Sequence, residues 1–102
     1  MPPLPAAVEV AVYRIVQEAI NNALKHAQAN LITVTLTLEQ GDKLPLSLRV
    51  EICDNGVGLP ADHAVGIGLH SMRERAEELG GSCAIGPGNS GGVQVIAHLP
   101  IG

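Results

Sequence analysis

Three groups of residues in this chain could do chemistry. The first is Asp54-Asn55-Gly56-Val57-Gly58-Leu59-Pro60, a carboxylate set against two glycines. A carboxylate at a strand end can accept a hydrogen bond from a ligand's amino group. Gly56 and Gly58 would let backbone come close to that ligand. The second group is a helical stripe: at roughly 100° per residue Glu18, Asn22 and Lys25 fall within about 60° of one another, with Arg14 beside them. The third is Gly66-Ile67-Gly68-Leu69, glycines ahead of a helix, where bare N–H groups make a ready anion site. Each group also has a plainer reading. Asp-Asn-Gly is the commonest short hairpin turn. A polar helix stripe is also a solvated face with i,i+4 pairs such as Asn21 to Lys25. Glycines before a helix also make a hinge, with Arg73 and Arg75 paired to Glu77 and Glu78.

The elements that would position these groups can be read from periodicity. From Ala6 to about Ala29, apolar residues at 8, 11, 12, 15, 16, 19, 20, 23, 24 and 27 follow helical spacing and predict one broad buried face. Pro5 suits the first turn, and Glu9 suits the helix dipole. Leu31 to Leu38 alternates threonine with aliphatics and predicts a strand. Gln40 to Lys43 turns the chain, and Leu46 to Cys53 returns antiparallel, ending on Asp54. Residues 61–66 read as a short loop. A second helix is predicted from His70 to about Leu79, with Leu69, Met72, Ala76 and Leu79 inward and Gly80-Gly81 as its stop. Ser82 to Ile85 and Val93 to Leu99 are strands joined by a glycine-rich turn at 86–92. The four strands can form one sheet with both helices on one face, in a single domain running from 6 to 102 after a short extended linker at 1–5.

Composition narrows the function class. The 102 residues are 46% hydrophobic, drawn from aliphatics with Tyr13 as the single aromatic, and this suits an α/β sandwich core. With 6 Lys+Arg against 10 Asp+Glu, the net charge of −4 offers no footprint for a nucleic-acid backbone, and stacking platforms are missing. No apolar run is long enough to span a bilayer and no signal-peptide pattern is present, so the expectation is a cytoplasmic domain without direct membrane contact. Cys53 and Cys83 read as buried free thiols in predicted strands, with a disulfide left open.

Taken together, the motifs resemble the ATP-binding/catalytic domain of bacterial sensor histidine kinases, within the wider family that includes gyrase and MutL. Glu18 to Ala27, containing Asn21, Asn22, Lys25 and His26, is similar to that family's N box. Asp54-Asn-Gly56-Val-Gly58 is similar to its G1 box, and Gly66-Ile-Gly68-Leu69 to its G2 box. Tyr13 to Ala19 and Gly66 to Gly81 resemble the subfamily of nitrate sensors and of the DesK and LiaS type. The resemblance covers about Leu4 to Pro100. It implies a Bergerat-type α+β two-layer sandwich, with a mixed, mainly antiparallel sheet and helices on one face. It also implies binding of ATP, ADP and Mg²⁺, and transfer of the γ-phosphoryl to a histidine on a separate dimerisation domain, which in turn serves a response regulator.

Carried over by resemblance, Asp54 accepts from the adenine amino group, which selects against guanine, and Gly56 and Gly58 admit the nucleotide. Asn22 gives its side-chain oxygen to Mg²⁺, Lys25 adds charge near the phosphates, and His26 flanks the adenine or ribose. Glu18 polarises the attacking histidine or a metal-bound water. Gly66, Gly68 and Leu69 hold the phosphates at the helix start. Three departures stand out. Val93 occupies a position where the family usually has a threonine that helps bind adenine, a loss of about 1 kcal/mol if that hydrogen bond is otherwise made. The strand that usually precedes the first helix is not evident, which leaves the sheet with an exposed edge, and none of His26, His63, His70 or His98 sits in a phosphoacceptor context. The rival readings are an anti-sigma-factor-type serine kinase on the same fold and a catalytically degenerate, nucleotide-gated interaction module.

Overall fold

The structure, a computed structural model, describes residues 4–25, 30–40, 46–56, 69–88 and 91–101, with only the backbone described at 25 and 69. Its elements in chain order are α1 (Ala6–Lys25), β1 (Ile32–Glu39), β2 (Ser47–Asp54), α2 (Leu69–Glu77), β3 (Ser82–Pro87) and β4 (Val93–Pro100). The strands lie in the order β1-β2-β4-β3. All three described pairings are antiparallel, so the parallel component of a mixed sheet finds no counterpart among them. Both helices pack on one face of the sheet, as the amphipathic patterns require.

Pro5 starts α1 by accepting from the N–H groups of Val8 (3.0 Å) and Glu9 (3.1 Å), and Glu9 lies in the first turn. The helix turns Val8, Ala11, Ile15, Ala19 and Ala23 into the core. All five are small or β-branched, which lets the helix lie close to the sheet. The expected buried face is narrower than its apolar residues suggest. The row Val12, Val16, Ile20, Leu24 lies about 100° around the helix from the buried row. Its first three residues are half-buried, and Leu24 is 61% exposed.

The central strands β2 and β4 carry the clearest alternation: Leu48, Val50 and Ile52 on one, Val93, Val95, Ala97 and Leu99 on the other, all buried. β1, at the sheet edge, continues the same apolar face: Ile32 and Leu38 pack against the core, while Val34 and Leu36 between them remain 42% and 41% exposed. Met72 and Ala76 anchor α2 beside α1. The helix ends in a Schellman motif: Gly80, at φ 80°, donates to the Glu77 carbonyl (2.9 Å), and Gly81 donates to that of Ala76 (2.9 Å). Among the described residues neither Arg73 nor Arg75 pairs with Glu77 or Glu78; the ion pair of this helix is His70 with Glu74 (3.3 Å).

The C-terminal strands run longer than their apolar patterns. β3 extends through Gly86 and Pro87, which pair with Gln94 and Val93, so the turn is shorter than the expected 86–92. On the sheet face away from the helices Arg49 pairs with Glu51 and holds that carboxyl below its ordinary range. Cys53 and Cys83 are both free; Cys83 is buried and burial pushes its thiol up, while Cys53 is only half-buried. The turn residues 41–43, the loop 61–66, and Gly58, Gly66, Gly68 and His26 lie outside the described residues.

Candidate functional site

Asp54 is the last residue of β2, and its neighbour across the sheet is the start of β4. Its Oδ1 accepts two backbone hydrogen bonds, from Gly56 N–H at 2.9 Å and from Val93 N–H at 3.2 Å. Among the described residues its second oxygen, Oδ2, takes none. The half-buried carboxylate is thus oriented by protein on one oxygen and left with acceptor capacity on the other.

Asn55 does not face a ligand; it fastens the turn. Its Oδ1 accepts from the N–H groups of Asn30 and Leu31, both at 3.1 Å, and its Nδ2 donates to Asn30 Oδ1 at 2.7 Å. Its own N–H donates to the Leu31 carbonyl at 3.2 Å. These bonds tie the end of β2 to the chain entering β1. Replacing Asn55 by Ala is expected to lower stability by about 1–2 kcal/mol, the low side for three side-chain hydrogen bonds because the group is exposed. Urea unfolding measures it; a change inside about 0.5 kcal/mol, the range of an inert surface substitution, would deny Asn55 this role.

Asp54 lines a cleft with Ala19, Asn22, Ile52, Ile85, Val93 and Val95. The space is ≈ 310 Å³ counted out to the mouth, while its closed inner part admits about one water molecule. Five of the seven lining side chains are aliphatic. Asn22 reaches the cleft from the middle of the last half of α1 and is the buried polar residue of the described core, 9% exposed. Such walls can take the flat face of a ring, with the Asp54 carboxylate as a hydrogen-bond acceptor at its edge. The Asn22 amide supplies an oxygen of the kind a hard cation takes. Among the described residues no three His, Cys, Asp or Glu side chains gather to hold a metal. A cation beside Asn22 would therefore be completed by ligand oxygens and water.

The expected residues come together unevenly. Asp54, Asn22 and Gly56 meet at one end of the helix–sheet interface. Glu18 is half-buried one helical turn before Asn22 and does not line the cleft. Lys25 closes α1 and Leu69 opens α2, and their side chains are outside the described set, as are Gly58, Gly66, Gly68 and His26 entirely. Sequence reasoning passed over Asn55, although its place between Asp54 and Gly56 marked it. It also passed over the walls Ala19, Ile52, Ile85 and Val95, which periodicity assigns to the core without saying that the core opens there. Val93, noted for lacking a hydroxyl, contributes its N–H to Asp54 and its side chain to the wall.

A family model described as Histidine kinase-, DNA gyrase B-, and HSP90-like ATPase matches residues 7–102. The chain is 38% identical over 96 residues to the sensor histidine kinase LiaS of Bacillus subtilis (strain 168), covering 92% of this chain and 25% of that protein. It is 37% identical over 97 residues to the oxygen sensor histidine kinase NreB of Staphylococcus carnosus (strain TM300), covering 92% and 26%. Among solved structures, the ATP binding domain of PrrB from Mycobacterium tuberculosis superposes with a TM-score of 0.70 at 25% identity, over 97% of this chain and 70% of that one. The chain spans about a quarter of the length of these two curated relatives.

Proposed function

Since the chain belongs to the histidine kinase-, DNA gyrase B- and HSP90-like ATPases, we propose that it is the Mg-ATP-binding catalytic domain of a two-component sensor histidine kinase. The observation that carries this reading is that Asp54 and Asn22 line one otherwise aliphatic cleft, a carboxylate able to accept from a base's amino group and an amide whose oxygen suits a cation.

In this reading Asp54 Oδ2 accepts from the adenine amino group while the aliphatic walls bury the ring. Gly56 and Gly58 let the nucleotide approach the backbone. The Asn22 amide oxygen would hold Mg²⁺, which would supply charge neutralisation at the phosphates. Lys25 would add positive charge near the phosphates, His26 would flank the base or ribose, and Gly66, Gly68 and Leu69 would hold the phosphates. Glu18, one turn before Asn22, orients and polarises the attacking imidazole, whose nitrogen takes the γ-phosphoryl as ADP leaves. Positioning and charge neutralisation supply most of the rate.

Residues 6–102 form this domain and 1–5 lead into it. The phosphoacceptor histidine comes from a dimerisation domain, and a response regulator receives the phosphoryl group from there. Among the described residues no helix is long and apolar enough to cross a membrane, in keeping with a domain that works in the cytoplasm, where ATP is available.

The cation assignment has its own test. Replacing Asn22 by Ala should weaken ATP binding roughly tenfold in Mg²⁺, about 1.4 kcal/mol, and change it little in EDTA. Calorimetric titration in both conditions separates the outcomes. An equal loss with and without Mg²⁺ would remove Asn22 from the cation and leave it a wall residue.

A further inference from the structure

What holds Asp54 in register is backbone on the opposite strand. Gly92 sits at φ 71°, a region side chains rarely adopt, but conformation is only half of its reason to be glycine. A Cβ there would stand 2.0 Å from the Asp54 carbonyl oxygen, 2.8 Å from its carbonyl carbon and 2.7 Å from Oδ1. The Asp54 backbone has little room to give way: it pairs with Ile32 on one side, and Cys53 beside it pairs with Gln94 on the other. Gly91, at φ 85°, has nothing within 4 Å of such a Cβ. Adjacent glycines thus share the backbone demand, and only one of them has Asp54 against it. The next residue, Val93, donates its N–H to Asp54 Oδ1 at 3.2 Å.

We propose that Gly92 and Val93 are positioning residues for base recognition: the absent side chain at 92 admits the Asp54 carboxylate, and the N–H at 93 pins Oδ1 so that Oδ2 is left to the ligand. This rests on the adenine reading of Asp54. It assigns base selectivity to two backbone features that no side-chain motif carries.

The test uses the 102-residue chain and two nucleotides differing at one edge of the base, ATP with its amino group and inosine triphosphate with a carbonyl there. Both are titrated calorimetrically in Mg²⁺. The variants are Gly92→Ala, Gly91→Ala, and a chain in which Val93 is replaced by its α-hydroxy acid, which deletes the N–H, keeps the side chain and weakens the Gly92 carbonyl as acceptor for Gly88 N–H. The last is made by ligating a synthetic 83–102 peptide at Cys83. Gly91→Ala should keep the wild-type ratio of the two affinities. Gly92→Ala and the ester should each lower that ratio about fivefold, the worth of one net hydrogen bond, with inosine triphosphate affinity little changed. Circular dichroism checks the fold, and if Gly92→Ala does not fold the ester decides. An ester with the wild-type ratio, or Gly91→Ala losing as much as Gly92→Ala, overturns the proposal. Asp54→Ala is run alongside: if it keeps a preference for ATP, the adenine reading itself fails, whatever the other variants do.

Discussion

Asp54→Ala is expected to weaken Mg-ATP binding by roughly 10- to 100-fold, the 1.5–3 kcal/mol attached to a hydrogen bond with a charged group. With Asn22, the carboxylate is one of two polar groups lining an otherwise aliphatic cleft. Truncation leaves the adenine amino group buried without an acceptor, which costs more than the bond alone returns. It also removes the acceptor for Gly56 N–H and Val93 N–H, so the turn and the start of β4 lose a shared anchor. Asp54→Asn separates these effects. Its amide oxygen can keep both backbone bonds while its nitrogen faces the ligand as a donor. That variant should fold like wild type, bind ATP poorly and lose its preference for ATP over a base with a carbonyl at that edge.

Ile15→Ala carries the largest expected loss of stability, about 2–5 kcal/mol for deleting a fully enclosed aliphatic side chain. Ile15 is wholly buried and belongs to the same row as Ala19 and Ala23, which fixes α1 against the sheet. Total stability of a domain this size is on the order of 5–15 kcal/mol, so such a cavity consumes a large share of it. The consequence reaches the site, because α1 brings Asn22 to the cleft. Ligand linkage should partly restore the variant: ATP at about 100 times its dissociation constant contributes about 2.7 kcal/mol by binding only the folded chain. Urea unfolding with and without Mg-ATP measures both terms. At the same ATP concentration the rescue should shrink to about 0.4–1.4 kcal/mol when Asp54→Ala is added. A loss under about 1 kcal/mol would mean that α1 does not rest on Ile15.

Much of the architecture was legible because it rests on local rules. Strict alternation in 46–53 and 93–99 announced two strands buried on one face, and Gly80-Gly81 announced the end of α2. The errors fall where local rules are silent. Leu24 obeys helical spacing yet faces solvent, because its row lies about 100° around α1 from the buried row and only the sheet's width decides where burial stops. Val34 and Leu36 alternate as well as any core strand, yet on the edge strand they stay 42% and 41% exposed. At the site, Asp54 and Asn22 stood out by residue type and motif. Gly92 stood out only as one of a glycine pair. Its particular demand comes from Asp54, 38 positions earlier, and such a contact between backbones leaves no residue-type signature.

The central claim is that this cleft reads adenine through Asp54. Its most direct test is calorimetric titration of the wild-type chain with ATP and with GTP in Mg²⁺. ATP should bind, with GTP at least about tenfold weaker, since guanine sets a carbonyl against the carboxylate in place of the amino group. Equal affinity for the two nucleotides would contradict it.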